Sequence, residues 1–365
     1  MATKSIKKNH SSLMQKLLAN SPTKHTSVMS ESVFFNEKDV VPIDYPVFNI
    51  AFSGSLDGGM SNGLTVFAGV SGVYKTLAAL ICAKAYMNKY DDAICILLDS
   101  EGGVTPSYLK ANGIDPSRVL HVPIEHLEML KFELVKQLKE IERGDHVIFV
   151  IDSIGNTGSL AEIQNALDER SVAEMQRAKT IKSVFRMITP SLVAKDIPCI
   201  CIAHTYEEMG AMYAKQIISG GSGIRYSANL AFIFSKAQEK DGKDLLGYNF
   251  TITVDKSRFV REKSKLTFQV LFSGGLQKYS GMLDMAIELG SVVKPSMGWY
   301  SKVDLDTGEV DEKKWRAKDT GCPEFWDSIL SSNTFKKKVE ERYKLTSAME
   351  LQDAEAELAE ETEAD

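Results

Sequence analysis

Between residues 41 and about 275 the chain alternates short apolar runs with amphipathic stretches, and this alternation restricts it to few folds. The runs at 64–68, 93–99, 119–123, 147–152 and 198–203 have the length of strands. A helix is expected from the end of the segment 69–76 through about Lys89, a short one near 107–112, and longer ones over 126–143 and 172–194. In the third of these, Leu127, Leu130, Leu134, Leu138 and Ile141 fall on one face. Strands that alternate with helices predict an α/β fold, a mostly parallel central sheet with helices on both faces. Later runs at 230–235, 248–255 and 266–272 read as antiparallel additions.

At 365 residues and 44% hydrophobic composition the chain can bury a sizeable core. No apolar run approaches the roughly 20 residues of a membrane-spanning helix, and no secretory signal is evident, so a cytoplasmic protein with no membrane partner is expected. The five cysteines include no Cys-x-x-Cys pair, and Cys95, Cys199 and Cys201 lie inside strand-like runs, which favours buried free thiols. Residues 1–40 form a polar, lysine-bearing arm, 41–275 a core, 276–346 a smaller module and 347–365 an acidic tail. The net charge of −6 comes from that tail: residues 350–365 hold eight acids, and the rest of the chain balances 43 bases against 41 acids. Such blocks are ordinarily solvated tails.

The segment Gly69-Val70-Ser71-Gly72-Val73-Tyr74-Lys75-Thr76 follows a predicted strand and opens a predicted helix. That context suits a phosphate loop, in which backbone N–H groups and a helix N-terminus cradle anionic oxygens. Lys75 would reach the β- and γ-phosphates of ATP, and the Thr76 hydroxyl would hold Mg2+. The usual pattern has glycine before the lysine; Tyr74 stands there instead. A second apolar run ends in Asp152, a carboxylate placed to hold Mg2+ beside such a loop. A third ends in Asp99-Ser100-Glu101. Parallel strands converge on one edge at their C-termini, where Glu101 can reach a water near the γ-phosphate as general base; alone, it also reads as a helix cap or turn acid.

With these motifs the chain resembles the RecA family, especially the UvsX-type recombinases of T-even-like bacteriophages. The resemblance runs from about Phe34 to Lys344. It is carried by Phe34-Phe35-Asn36-Glu37-Lys38-Asp39, the phosphate loop with an aromatic before Lys75, Ser100-Glu101 and Ile151-Asp152-Ser153. Further matches are Ala203-His204-Thr205-Tyr206, Asp255-Lys256-Ser257-Arg258 and Trp315-Arg316-Ala317-Lys318-Asp319-Thr320. It implies a RecA-type ATPase core with an N-terminal polymerisation arm and a small C-terminal α/β module. The implied activity is DNA-dependent ATP hydrolysis by helical filaments on single-stranded DNA that pair with duplex DNA and exchange strands. Glu101 matches the catalytic glutamate and Tyr108 a residue that stacks on adenine, although helix packing accounts for an aromatic there equally well. His204 takes the place of the γ-phosphate sensor. Lys256 and Arg258 match bases that reach a neighbouring protomer's γ-phosphate; without the resemblance they read as charges on a strand edge. A single-stranded-DNA-binding protein and a recombination mediator are implied partners.

Two segments read as DNA loops. In 155–177, Arg170 and Arg177 are seven apart and share a helix face, facing either DNA phosphates or solvent. In 206–226, Gly220 and Gly221 give freedom, Met209, Met212 and Tyr213 can wedge between bases, and Arg225 can hold a phosphate. A loop that long without structure is uncommon in a compact domain unless it has a function. Phe34 and Phe35 are expected at a protomer interface. Lys336, Lys337, Lys338, Arg342 and Lys344 form either a path for duplex DNA or a solvated helix face. Two rival readings are a hexameric helicase with the same core and a non-hydrolysing DNA-binding filament protein.

Overall fold

The computed structural model describes residues 12–23, 25–32, 40–168, 175–207 and 216–345. Met1–Asp39 form a unit of their own, in which residues 12–19 are helical and Met29–Glu31 make one 3-10 turn.

The second unit, Val40–Asp365, is built on a nine-stranded sheet. In chain order its elements begin with α1 (Pro46–Ser53), β1 (Gly63–Ala68), α2 (Lys75–Lys89), β2 (Ile94–Asp99), α3 (Pro106–Ala111) and β3 (Val119–Pro123). Next come α4 (Leu127–Glu140), β4 (Val147–Asp152), α5 (Leu160–Leu167), α6 (Met175–Lys195), β5 (Pro198–Ala203), β6 (Thr205–Glu207), β7 (Gln216–Ile218) and α7 (Ser222–Ser227). A meander follows: β8 (Leu230–Asp241), β9 (Asp244–Lys256), β10 (Lys265–Leu271) and β11 (Gly275–Leu276). The last elements are α8 (Met282–Glu288), β12 (Val292–Ser296), β13 (Trp299–Lys302), β14 (Trp315–Arg316), α9 (Pro323–Ser331) and α10 (Asn333–Tyr343).

The strand order is β11-β10-β9-β8-β1-β5-β4-β2-β3. From β8 to β3 neighbours run parallel, and from β8 to β11 antiparallel. β8 is therefore the seam, parallel to β1 on one side and antiparallel to β9 on the other. β1, β4 and β5 are buried at every position, as strands covered on both faces must be, and this explains their unbroken apolar runs. α1 and α2 pack on one face; α4, α6 and α7 pack on the other. The small three-stranded sheet β12-β13-β14 lies beside α9 and α10, whose Phe325, Trp326 and Phe335 join the same cluster as α1 and β10. No helix of the described residues is long and apolar enough to cross a membrane. The four core cysteines are buried free thiols, and Cys322 is half-buried.

Three regions differ from the reading of the sequence. β8 and β9 are longer than expected, because their hydrogen-bonded ladder continues through the polar residues 236–249. α5 stands inside the first segment read as a loop, started by a capping box in which Ser159 and Glu162 satisfy each other's backbone N–H groups. β6 and β7 form a hairpin inside the second.

Candidate nucleotide site and its surroundings

Parallel strands release their chain on one edge of the sheet, and at that edge β1, β2, β4 and β5 bring their C-terminal residues together. The turn from β1 to α2 is held closely. A Cβ on Gly69 would lie 2.6 Å from the Phe234 carbonyl oxygen. Val73 is buried and pins the loop, while Ser71 and Gly72 form its exposed crest. Gly72 has φ 73° and accepts from Lys236 Nζ at 3.0 Å through its carbonyl. Tyr74 has φ 60° and ψ 26°, the left-handed conformation that glycine adopts without steric cost. Its ring packs on Phe250 with centroids 4.6 Å apart, a contact that glycine would lack.

Lys75 is buried, and its Nζ donates to the carbonyls of Gly69 at 2.9 Å and Val70 at 2.7 Å. Burial lowers its pKa, opposed by the charges of Glu101 and Asp152. The Thr76 hydroxyl donates to Asp152 Oδ2 at 2.8 Å. Burial pushes the Asp152 carboxyl up to about 6, opposed by the Thr76 hydrogen bond and reinforced by Glu101 and Asp99. Its Oδ1 is buried and accepts no hydrogen bond. An acceptor left bare in this way, next to a hydroxyl, fits Mg2+, which prefers oxygen ligands and is commonly held by one or two carboxylates plus substrate phosphates. Among the described residues no group of three or more His, Cys, Asp or Glu side chains forms a protein cage for a metal.

Glu101 follows the end of β2. Asp99 Oδ1 accepts the N–H groups of Glu101 at 2.9 Å and Gly102 at 2.8 Å, and its Oδ2 lies 3.1 Å from His121 Nε2. Glu101 Oε1 accepts from the Ser153 hydroxyl at 2.6 Å and from Asn156 Nδ2 at 3.1 Å. His204 Nε2 is 3.5 Å from the same oxygen; it is buried and makes no hydrogen bond. The Asp152–Ser153 peptide is cis, and Ser100 Oγ donates to the Ser153 carbonyl at 2.7 Å, which joins the ends of β2 and β4. Gly155 lies under the His204 ring: a Cβ there would come within 1.9 Å of Cδ2. Lys75, Thr76, Glu101, Asp152 and His204 thus meet in one place.

Tyr108 stands on α3, which Thr105 caps and Pro106 opens. With Tyr74 and Phe272 it lines a cleft of about 740 Å3 beside the phosphate loop. Lys256, at the end of β9, donates to the carbonyls of Arg225, Tyr226 and Ala228 at 2.8, 3.0 and 2.8 Å, and so caps α7. Arg258 is exposed. Arg225 forks onto Asp255, with Nε 2.7 Å from Oδ2 and Nη2 2.8 Å from the carbonyl. Arg177 donates to the carbonyls of Ile154 at 2.7 Å, Gly155 at 2.9 Å and Thr157 at 3.1 Å. Gly220 and Gly221, with φ 103° and 77°, form the turn before α7, and Gly220 faces Ile181 of α6. Arg177, Arg225 and Lys256 are therefore occupied by backbone or ion-pair partners, which their positions in the sequence did not signal. Phe34, Phe35, Arg170, Met209, Met212 and Tyr213 lie outside the described residues. Asp99, Asn156, Lys236 and Phe272 join the site without having been singled out; only Asp99, at a strand end beside Glu101, carried a signal.

Residues 46–277 match the family model for the RecA N-terminal domain. Residues 279–339 match that for the C-terminal domain of the bacteriophage T4 recombination and repair protein. The recombination and repair protein of Enterobacteria phage T4 is 48% identical over 339 residues, 92% of this chain and 86% of that protein. The RecA protein of Chlorobium limicola is 27% identical over 243 residues, 66% of this chain and 67% of that protein. The RecA protein of Clostridioides difficile is 26% identical over 240 residues, 65% and 67% of the two chains. A match across nearly the whole chain at close to half identity has one reading: the chain belongs to the RecA family of recombinases, in the branch of the T4 recombination and repair protein.

Proposed function

We propose that this recombinase is a DNA-dependent ATPase that assembles into helical filaments on single-stranded DNA, pairs them with homologous duplex and exchanges strands. The observation that carries the reading is the convergence of Lys75, Thr76, Asp152, Glu101 and His204 on one sheet edge beside a phosphate loop. The loop's N–H groups and Lys75 bind the phosphates of ATP, and Thr76 and Asp152 hold Mg2+, which neutralises phosphate charge when bound. The cleft of Tyr74, Tyr108 and Phe272 takes the base. Glu101 accepts the proton of the attacking water, and His204 senses the γ-phosphate. Lys256 and Arg258 act across a protomer interface, with Phe34 and Phe35 in the filament contact. Arg170, Arg177, Arg225 and the segment around Gly220 and Gly221, with Met209, Met212 and Tyr213, contact DNA. Phosphate and stacking contacts tolerate any sequence, so base pairing supplies specificity. A single-stranded-DNA-binding protein and a mediator act as partners.

The test compares ATP hydrolysis with and without single-stranded DNA for the wild type, Glu101→Ala and Lys75→Ala. Strong stimulation by DNA, lost in both variants, supports the reading; no hydrolysis under any condition defeats it in favour of a non-hydrolysing filament protein. Electron microscopy on DNA separates open filaments from the closed rings of a helicase.

A further inference from the structure

Glu101 is held where it can be released. Its Oε1 takes two hydrogen bonds, both from the segment that leaves β4: Ser153 Oγ at 2.6 Å and Asn156 Nδ2 at 3.1 Å. Two hydrogen bonds on one oxygen fix the rotamer of the carboxylate and occupy the lone pairs with which it would engage a water. Asn156 is exposed and the next residue, Thr157, is buried with its hydroxyl on the Ser153 carbonyl at 2.9 Å, so the segment is a tight turn with Asn156 at its tip.

On its other side the turn is clamped by α6. The Arg177 guanidinium donates to Ile154, Gly155 and Thr157, the residues that flank Asn156. Its partners are neutral carbonyls. A phosphate adds a full opposite charge and a bidentate geometry that matches the guanidinium, so a nucleic-acid backbone arriving at α6 competes for this side chain on favourable terms.

Resting on the reading of Glu101 as the general base, we propose that Asn156 is a restraining positioning residue: it tethers Glu101 in an idle pose, and Arg177 keeps the tether in place until a nucleic-acid phosphate draws the guanidinium away. DNA then stimulates hydrolysis by removing a hydrogen bond from the base, with no need for it to touch the nucleotide.

The sign of the effect distinguishes a restraint from an ordinary structural contact, since removing a restraint raises a rate. The experiment measures steady-state ATP hydrolysis by the full chain at pH 8, with and without poly(dT), for Asn156→Ala, the near-isosteric Asn156→Asp, Arg177→Met and the double variant Asn156→Ala/Glu101→Gln. Asn156→Ala and Asn156→Asp are expected to raise the DNA-free kcat about tenfold or more, the scale on which one hydrogen bond to a charged group acts. KM for ATP stays unchanged and the stimulation by poly(dT) shrinks. Arg177→Met is expected to raise the DNA-free kcat in the same way. A DNA-free kcat that stays level or falls in both Asn156 variants overturns the tether. A level rate in Arg177→Met overturns the clamp's part in it. The double variant separates the two layers: loss of the raised rate supports the tether, and its persistence shows that Glu101 is not the base.

Discussion

The Thr76 hydroxyl and the Asp152 carboxylate lie 2.8 Å apart, so the first turn of α2 is tied to the end of β4 by one hydrogen bond. The tie does not satisfy Asp152, whose other oxygen is buried and bare and whose pKa burial raises to about 6. With the folded value above the unfolded one of about 3.9, the folded state holds the extra proton, and stability falls as pH rises through about 4 to 6. The cost above that window is roughly 3 kcal/mol. Asp152→Asn is expected to melt at higher temperature than the wild type at pH 8 without nucleotide, with a smaller gap at pH 5. Affinity of the wild type for Mg2+-nucleotide is expected to fall as pH drops through about 6, where protonation competes with the cation. Thermal melts and nucleotide titrations at the two pH values check both.

Tyr74 combines an unfavourable backbone with a favourable ring. The left-handed conformation costs a non-glycine residue about 1–2 kcal/mol, and the pairing with Phe250 returns about 0.5–1.5 kcal/mol beyond the area it buries. Tyr74→Gly is therefore expected to stay close to the wild type in stability. Tyr74→Ala keeps the strain and loses the ring, and is expected to fall about 1 kcal/mol or more below Tyr74→Gly. Chemical denaturation of the three proteins gives the order, and Tyr74→Ala matching Tyr74→Gly would refute it.

Lys256 and Arg258 are two residues apart but differ in what holds them. Lys256 caps α7 through three carbonyls, while Arg258 is exposed. Lys256→Met is expected to lower stability by about 1–3 kcal/mol, since carbonyls at a helix end lose a charged donor. Arg258→Met is expected to leave the melting temperature unchanged and to lower DNA-stimulated hydrolysis. Equal loss of stability in both variants would contradict the difference.

Gly155 is a contact glycine rather than a turn glycine. Its missing side chain makes room for the His204 ring, which a Cβ would meet at 1.9 Å. Gly155→Ala is expected to cost about 1–3 kcal/mol and to displace His204 from Glu101. DNA-stimulated hydrolysis should fall sharply while nucleotide binding persists, measured by fluorescent-nucleotide titration beside the hydrolysis assay.

Most of the parallel half of the sheet was legible because β1, β4 and β5 are buried on both faces and so appear as unbroken apolar runs, with Asp152 at the end of β4 and Lys75 opening the helix after β1. The polar halves of β8 and β9 were not, since their ladder rests on backbone hydrogen bonds that leave no apolar pattern. α5 was readable in principle: Ser159-Leu160-Ala161-Glu162 is the spacing of its capping box, but glycine and polar residues before it favoured a loop. The roles of Arg177, Arg225 and Lys256 were hidden for another reason. Their partners are mostly carbonyl oxygens, which every residue carries, so no choice of side chain marks them.

The placement of β1 in mid-sheet also governs when the site can form during synthesis. β1 pairs with β5, where Gly63 meets Pro198, and with β8, where Thr65 meets Leu230. Both partners are made more than 130 residues after it. A chain still short of Leu230 therefore holds the phosphate-loop strand with one edge unpaired, and unpaired strand edges are what aggregate or recruit chaperones. The meander from β8 to β11 closes over short loops and forms quickly once made, whereas β1 must wait. If this edge is the nucleotide site, binding by a nascent chain is expected only after Leu230 has been made and the core is complete.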